Sequence, residues 1–212
     1  MKEHHIVVNK TARYYTLGTL NDKTKKVWFI FHGYGQLADF FINHFRVLED
    51  EHTYIVAPEA LSKFYLNGFN GRVGATWMTK EDRETEIADY INYLNQLYKT
   101  LGLGKNIELN VLGFSQGVAT AYRWITSIQE ATLTKLILWA GILPPDMDIE
   151  PGKQLDIIKN TQTYFIYGKN DPFYKEEHRD KINEFLKIKP DMQIISFDGE
   201  HEINQEVLKE IR

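Results

Sequence analysis

Ile107-Glu108-Leu109-Asn110-Val111-Leu112-Gly113-Phe114-Ser115-Gln116-Gly117 joins an apolar run that ends at Phe114 to a helical pattern that opens at Gln116. A strand that turns at once into a helix leaves one residue in the corner, and here it is Ser115. Gly113 and Gly117 flank it in the pattern G-x-S-x-G. So tight a turn strains the serine backbone, and a Cβ at either glycine would collide with neighbouring chain. The hydroxyl then projects past the end of the strand beside the helix N-terminus, whose N–H groups favour negative charge. The competing reading is an ordinary Gly-rich turn with Ser115 as a helix N-cap. The strand before it and the helix after it favour a nucleophile.

Moving outward, short apolar runs recur along the chain: Val27 to Phe31, Tyr54 to Ala57, Leu136 to Trp139, Thr163 to Tyr167, and Gln193 to Phe197. Most are apolar at successive positions, as strands buried on both faces of a parallel sheet require. Helical patterns lie between them. Ile87, Tyr90, Ile91, Leu94, Leu97, Tyr98 and Leu101 follow the i, i+3, i+4, i+7 template until Gly102. Shorter apolar faces run through Phe41, Phe45 and Leu48, through Val118, Tyr122 and Ile125, through Ile182, Phe185 and Leu186, and through Val207, Leu208 and Ile211. Ile6 to Val8 and Ala12 to Leu17, flanking Asn9-Lys10, read as an antiparallel hairpin at the sheet edge. The expectation is one α/β domain over 1–212. It has a mostly parallel twisted sheet of about eight strands, an antiparallel N-terminal hairpin and helices on both faces. Glu59 to Lys80 reads as an irregular, aromatic-rich loop of the length that usually carries function.

The chain has 212 residues and a net charge of −4, with 43% hydrophobic and 25% charged residues, which suits a single sizeable core. It has no cysteine, which excludes disulfides, thiolate metal sites and a cysteine nucleophile. The N-terminus MKEHHIVVNK lacks the pattern of a signal peptide, and no apolar run approaches the ~18 residues of a membrane span. No basic cluster suggests nucleic acid. A soluble, cytoplasmic protein without stable membrane insertion is expected, as monomer or homodimer.

A serine hydroxyl needs a base and an acid that orients the base. Two histidines follow Ser115. His201 lies just after the last strand, at the sheet edge where Ser115 sits. His178, in Glu176-Glu177-His178-Arg179, reads as a solvated residue on a charged helix face. The acid belongs at the preceding strand end, where Tyr167-Gly168-Lys169-Asn170-Asp171-Pro172 offers Asp171. Asn-Asp-Pro is also good Asx-turn chemistry, and the two roles are compatible. Asp146, Asp148, Asp156, Asp198 and Glu200 are worse placed. Phe31-His32-Gly33-Tyr34-Gly35, after the first core strand, is a turn able to aim a backbone N–H at an oxyanion. With the N–H of the residue after the nucleophile, this assigns Tyr34 and Gln116. His32 itself reads as a structural hydrogen-bonding residue. No G-x-G-x-x-G and no P-loop lysine are present. A metal site at Glu200-His201-Glu202 or His4-His5 lacks a second ligand cluster.

These motifs resemble the α/β-hydrolases of the phospholipase/carboxylesterase group, which includes acyl-protein thioesterases. The matching pieces are His32-Gly33-Tyr34-Gly35, Pro58, Trp77, Gly113 to Gly117, Gly168 with Asp171, and His201 followed by Ile203; they span nearly the whole chain. Val118 and Glu200 depart from the group, which commonly has a glycine and a small residue there. The resemblance implies a Ser115–His201–Asp171 triad, no metal or other cofactor, and hydrolysis of carboxylic esters or thioesters. Phe64, Tyr65, Phe69, Trp77 and Leu143 are candidates for an apolar acyl wall. Between Gly141 and Thr161 there is no room for a large cap, so an open site is expected. It would suit small esters, acyl-thioesters or an acylated protein rather than a lipid interface. The competing readings are lysophospholipase or amidase activity on the same triad, and an idle hydrolase fold used as a binding module.

Overall fold

The computed structural model describes residues 1–128, 132–141, 143–144 and 153–212. Asp146 and Asp148 lie outside the described residues. Seven strands form one sheet: β1 (Tyr14–Leu17), β2 (Lys26–Phe31), β3 (Thr53–Pro58), β6 (Glu108–Phe114), β7 (Leu133–Trp139), β8 (Gln162–Gly168) and β9 (Gln193–Phe197). Their spatial order is β1-β3-β2-β6-β7-β8-β9. β1 runs antiparallel to β3 and every other pairing is parallel. β4 (Ser62–Asn67) and β5 (Asn70–Thr76) form a separate antiparallel hairpin.

The helices are α1 (Ala38–Phe41), continued by a 3₁₀ turn over Ile42–Leu48, then α2 (Arg83–Leu101), α3 (Gln116–Ser127), α4 (Lys153–Asn160), α5 (Glu176–Ile188) and α6 (Gln205–Glu210). Two apolar layers cover the sheet. β2 shows why successive apolar residues are needed: Val27, Phe29 and Phe31 enter the layer with Tyr90, Leu94 and Trp124, while Trp28 and Ile30 enter the layer with Phe41, Phe45 and Trp139. A half-polar strand could not serve both. Among the described residues α4 is the one helix between β7 and β8, and no large cap interrupts the fold. No helix among the described residues is long and apolar enough to cross a membrane.

Two details differ from expectation. The N-terminal hairpin does not form: Ile6, Val7 and Val8 are exposed and only Tyr14–Leu17 pairs, with β3. The segment from Glu59 to Lys80 is mostly the β4–β5 hairpin rather than an irregular loop. Its base is bonded to the turn after β2, where Gly35 N–H donates to Ala75 O at 2.9 Å and Ala75 N–H to Gln36 O at 3.2 Å.

Candidate active site

In the sheet order β2 stands between β3 and β6. The chain thus leaves β2 in one direction and returns on its other side, which opens a crevice at the carboxyl ends of β2 and β6. The turn after β2 and the corner after β6 both face it. Ser115 occupies the corner with φ 55° and ψ −119°, a strained conformation costing on the order of 1–3 kcal/mol. Its N–H donates to Trp139 O at 2.9 Å, and its carbonyl accepts from Val118 N–H at 3.0 Å. Both motif glycines are required by close main-chain approach. A Cβ on Gly113 would strike Gly117 O, and a Cβ on Gly117 would strike Phe31 O.

His201 follows β9 and Asp171 follows β8. His201 Nδ1 and Asp171 Oδ2 are 2.7 Å apart. The other carboxylate oxygen, Oδ1, accepts from Phe173 N–H at 2.8 Å, so Asp171 makes the Asx turn and holds the histidine at once. The two loops are zipped together: Lys169 N–H donates to Phe197 O at 2.9 Å and Asn170 N–H to Gly199 O at 3.0 Å. Trp139 ties this loop to the serine. Its carbonyl accepts from Ser115, while its indole N–H donates to Glu202 O at 2.9 Å. The His201 ring lies between Phe114 and Phe173, each with its centroid 4.8 Å away. Ser115, Asp171 and His201 all line one cavity of about 500 Å³.

In the turn after β2, Gly33 N–H donates to Gln36 Oε1 at 2.8 Å and Gly35 N–H to Ala75 O. The Tyr34 N–H between them makes no hydrogen bond among the described residues. The Tyr34 ring is exposed and rests 5.1 Å from Phe64. Gln116 lines the cavity and clamps the end of the hairpin. Its Oε1 accepts from Trp77 N–H at 3.1 Å, and its Nε2 donates to Thr76 Oγ1 at 3.0 Å and Met78 O at 2.9 Å.

His32 is structural, as its sequence context suggested. It is fully buried, Nε2 accepts from Ala60 N–H at 3.1 Å, and Nδ1 lies 2.8 Å from Gly33 O. This pair fixes the neutral tautomer with the proton on Nδ1. Burial pushes its pKa down to about 4, against a smaller opposing effect of the Gly33 carbonyl.

The acyl-wall candidates separate. Leu143 lines the cavity. Trp77 does not: it is buried, meets Phe31 and Tyr90 edge to face and lies tilted against His32, and donates its indole N–H to His32 O at 2.9 Å. Phe64, Tyr65 and Phe69 sit on the hairpin away from the lining, and Phe69 at its tip is exposed. His178 is a second correction. It is buried and lines the same cavity, with Nδ1 accepting from Lys175 N–H at 3.0 Å and its ring beside Tyr174. Arg123 and Lys181 also line the cavity and were not foreseen. The signal for Arg123 was present: it stands at i+8 from Ser115, inside the apolar run of α3. His5 meets Glu3 and Asp82 at the surface, at 3.2 and 3.1 Å, and none of the three lines the cavity.

Known proteins share this architecture. Acyl-protein thioesterase 2 of Zea mays superposes with a TM-score of 0.71 at 18% identity, over 95% of this chain and 96% of that one. Esterase PE8 gives 0.67 at 22% identity, over 95% and 96%. A phospholipase/carboxylesterase of Dyadobacter fermentans gives 0.68 at 17% identity, over 97% and 96%. At these identities the likeness is one of fold. No curated protein gives a significant sequence match. The sequence of residues 21–207 matches a family outright, and that span holds the serine corner, the Asp171 loop and the His201 loop: the chain belongs to the serine hydrolase (FSH1) family.

Proposed function

We propose that the protein is a carboxylesterase-type enzyme that hydrolyses carboxylic esters or thioesters of small-to-medium acyl groups, using Ser115, His201 and Asp171 as a triad. The observation that carries this reading is the 2.7 Å contact between His201 Nδ1 and Asp171 Oδ2 on a cavity that Ser115 also lines. The contact holds the proton on Nδ1 and leaves Nε2 as the base. His201 Nε2 takes the Ser115 hydroxyl proton as Oγ attacks the acyl carbonyl. The tetrahedral oxyanion is held by the backbone N–H groups of Tyr34 and Gln116. Collapse expels the alcohol or thiol, which takes the proton from His201. Water, deprotonated by the same nitrogen, then attacks the acyl-serine and releases the acid. Small-molecule esters or thioesters, or an acylated protein side chain, fit this chemistry.

The test is Ser115→Ala assayed on p-nitrophenyl butyrate, with a fluorophosphonate probe in parallel. We expect kcat to fall by about 10⁴-fold or more and the probe adduct to disappear, with Tm no lower than wild type. Retained turnover or labelling would overturn the assignment.

A further inference from the structure

The turn after β2 and the serine corner are joined by a third piece of chain. Ala75 to Met78, at the base of the β4–β5 hairpin, bond to both. Toward the turn, Ala75 O accepts from Gly35 N–H at 2.9 Å, Ala75 N–H donates to Gln36 O at 3.2 Å, and the Trp77 indole N–H donates to His32 O at 2.9 Å. One residue earlier, Gly74 packs so closely on the turn that a Cβ there would strike Gly35 O. Toward the corner the bonds converge on one side chain. Trp77 N–H donates to Gln116 Oε1 at 3.1 Å, while Gln116 Nε2 donates to Thr76 Oγ1 at 3.0 Å and to Met78 O at 2.9 Å. The Thr76 hydroxyl itself donates to Met78 O at 2.9 Å, which closes the network.

The turn needs support from outside. Tyr34 stands between two glycines, and Gly35 has a φ of 73°, so little in the local chain fixes its peptide planes. An amide that is to receive an oxyanion must also stay free of other partners, and its direction is then set by its neighbours. Gly33 N–H is held within the turn, by Gln36 Oε1 at 2.8 Å. The main chain of Gly35 and Gln36 is held by Ala75, across the gap. The far end of the hairpin gives no anchorage, because Gly68 and Gly71 have open space around them. The polar ties at the base come from Gln116. A hydrogen bond weakens steeply as its angle closes, and a reacting group misplaced by about 1 Å can lose about 10²-fold in rate.

We propose that the Gln116 side chain is a positioning group for the other oxyanion donor: by clamping residues 76–78 it fixes the base of the hairpin, and the base of the hairpin aims the Tyr34 N–H. Gln116 thus serves the oxyanion twice, through its own N–H and through its amide head. The inference rests on the reading of Ser115 as the nucleophile with Tyr34 and Gln116 as the oxyanion donors.

The experiment is Gln116→Met, which keeps the backbone N–H and the length of the side chain but removes all three bonds. A second variant, Gly74→Ala, pushes the base off the turn without touching Gln116. For each, kcat and KM are measured on p-nitrophenyl butyrate, and Ki is measured for n-butyl trifluoromethyl ketone. That ketone adds to the Ser115 hydroxyl, whose proton passes to His201, and its carbonyl oxygen becomes the oxyanion. In both variants kcat is expected to fall about tenfold or more, within the range that one oxyanion donor is worth, with KM within about twofold of wild type. Ki for the ketone rises by the same factor as kcat/KM falls. A merely structural role lowers the amount of active enzyme and leaves Ki unchanged. Should Gln116→Met fail to fold, Thr76→Val, which removes the acceptor of one Nε2 bond, takes its place with a smaller effect of the same sign. An unchanged Ki in Gln116→Met, or a rise there that Gly74→Ala does not share, overturns the inference and leaves the hydrolase reading standing. A folded wild type that turns over no ester and takes neither ketone nor fluorophosphonate overturns that reading itself.

Discussion

Two segments meet at Gln116, and they are held in different ways. The corner at Ser115 is fixed by main chain against main chain: Gly113 abuts the Gly117 carbonyl, and Gly117 abuts the carbonyl of Phe31. The β4–β5 hairpin has Gly68 and Gly71 at its tip with open space around both, at φ of +68° and +85°. Its attachments are at the base, through the Gly35–Ala75–Gln36 bonds and the Gln116 clamp on residues 76–78. The proposed mechanism puts its reacting atoms on the first kind of structure, where a rigid wall keeps groups within fractions of an ångström. The second kind shapes the approach and tolerates change.

Substitution at the glycines is the strongest way to break this contrast. Gly117→Ala forces the helix start away from β2 and is expected to cost more than about 4 kcal/mol, with loss of esterase activity in whatever fraction folds. Denaturant titration beside turnover measures both. A variant as stable as wild type would show that the corner is not closed by that contact.

His32 sharpens the contrast because it ties the turn after β2 to the chain just before the hairpin, with Nδ1 on the Gly33 carbonyl and Nε2 accepting from Ala60 N–H. Its folded pKa, about 4, lies below the ordinary 6.5. The unfolded chain therefore takes up the proton first as pH falls. Stability contributed by the neutral ring is complete above about pH 6.5 and is lost progressively toward pH 4, by about 3 kcal/mol in all. Stability measured from pH 7 to 4 should show this slope, and His32→Gln should lack it. An unchanged slope in the variant would assign the acid sensitivity elsewhere.

The smallest effect is expected at the hairpin tip. Gly68→Ala meets no neighbour and carries only the penalty of a positive φ, about 1–2 kcal/mol, with kcat/KM on p-nitrophenyl butyrate within about twofold of wild type. A tenfold loss of activity would mean that the tip takes part in the reaction cycle.

The same contrast explains what could be read from the sequence. All six predicted core strands exist, five of them because burial on both faces demands an uninterrupted apolar run such as Val27 to Phe31, while β9 closes the sheet edge with most of its residues exposed. The serine corner was legible because its glycines are steric necessities. The hairpin was not: Ser62-Lys63-Phe64-Tyr65-Leu66-Asn67 sets two aromatics side by side, and β5 holds Gly71 and Gly74, which lowers strand propensity. Gly74 is there because it packs on Gly35, a tertiary contact that no local pattern reveals. His178 departs from its sequence pattern for a related reason. Its charged neighbours marked a solvated face, yet its imidazole turns back to the Lys175 N–H and into the cavity. Trp77 reads as wall material because it is aromatic, whereas its indole serves the His32 carbonyl.

In the proposed mechanism Ser115 carries the acyl group and His201 is its base. Pre-steady-state hydrolysis of p-nitrophenyl acetate, with mass spectrometry of the Ser115 peptide in wild type and in His201→Ala, tests it most directly. An acyl mass is expected on the Ser115 peptide in wild type and none in the variant. Turnover without an adduct on that peptide, or an adduct formed at the same rate in His201→Ala, would contradict it.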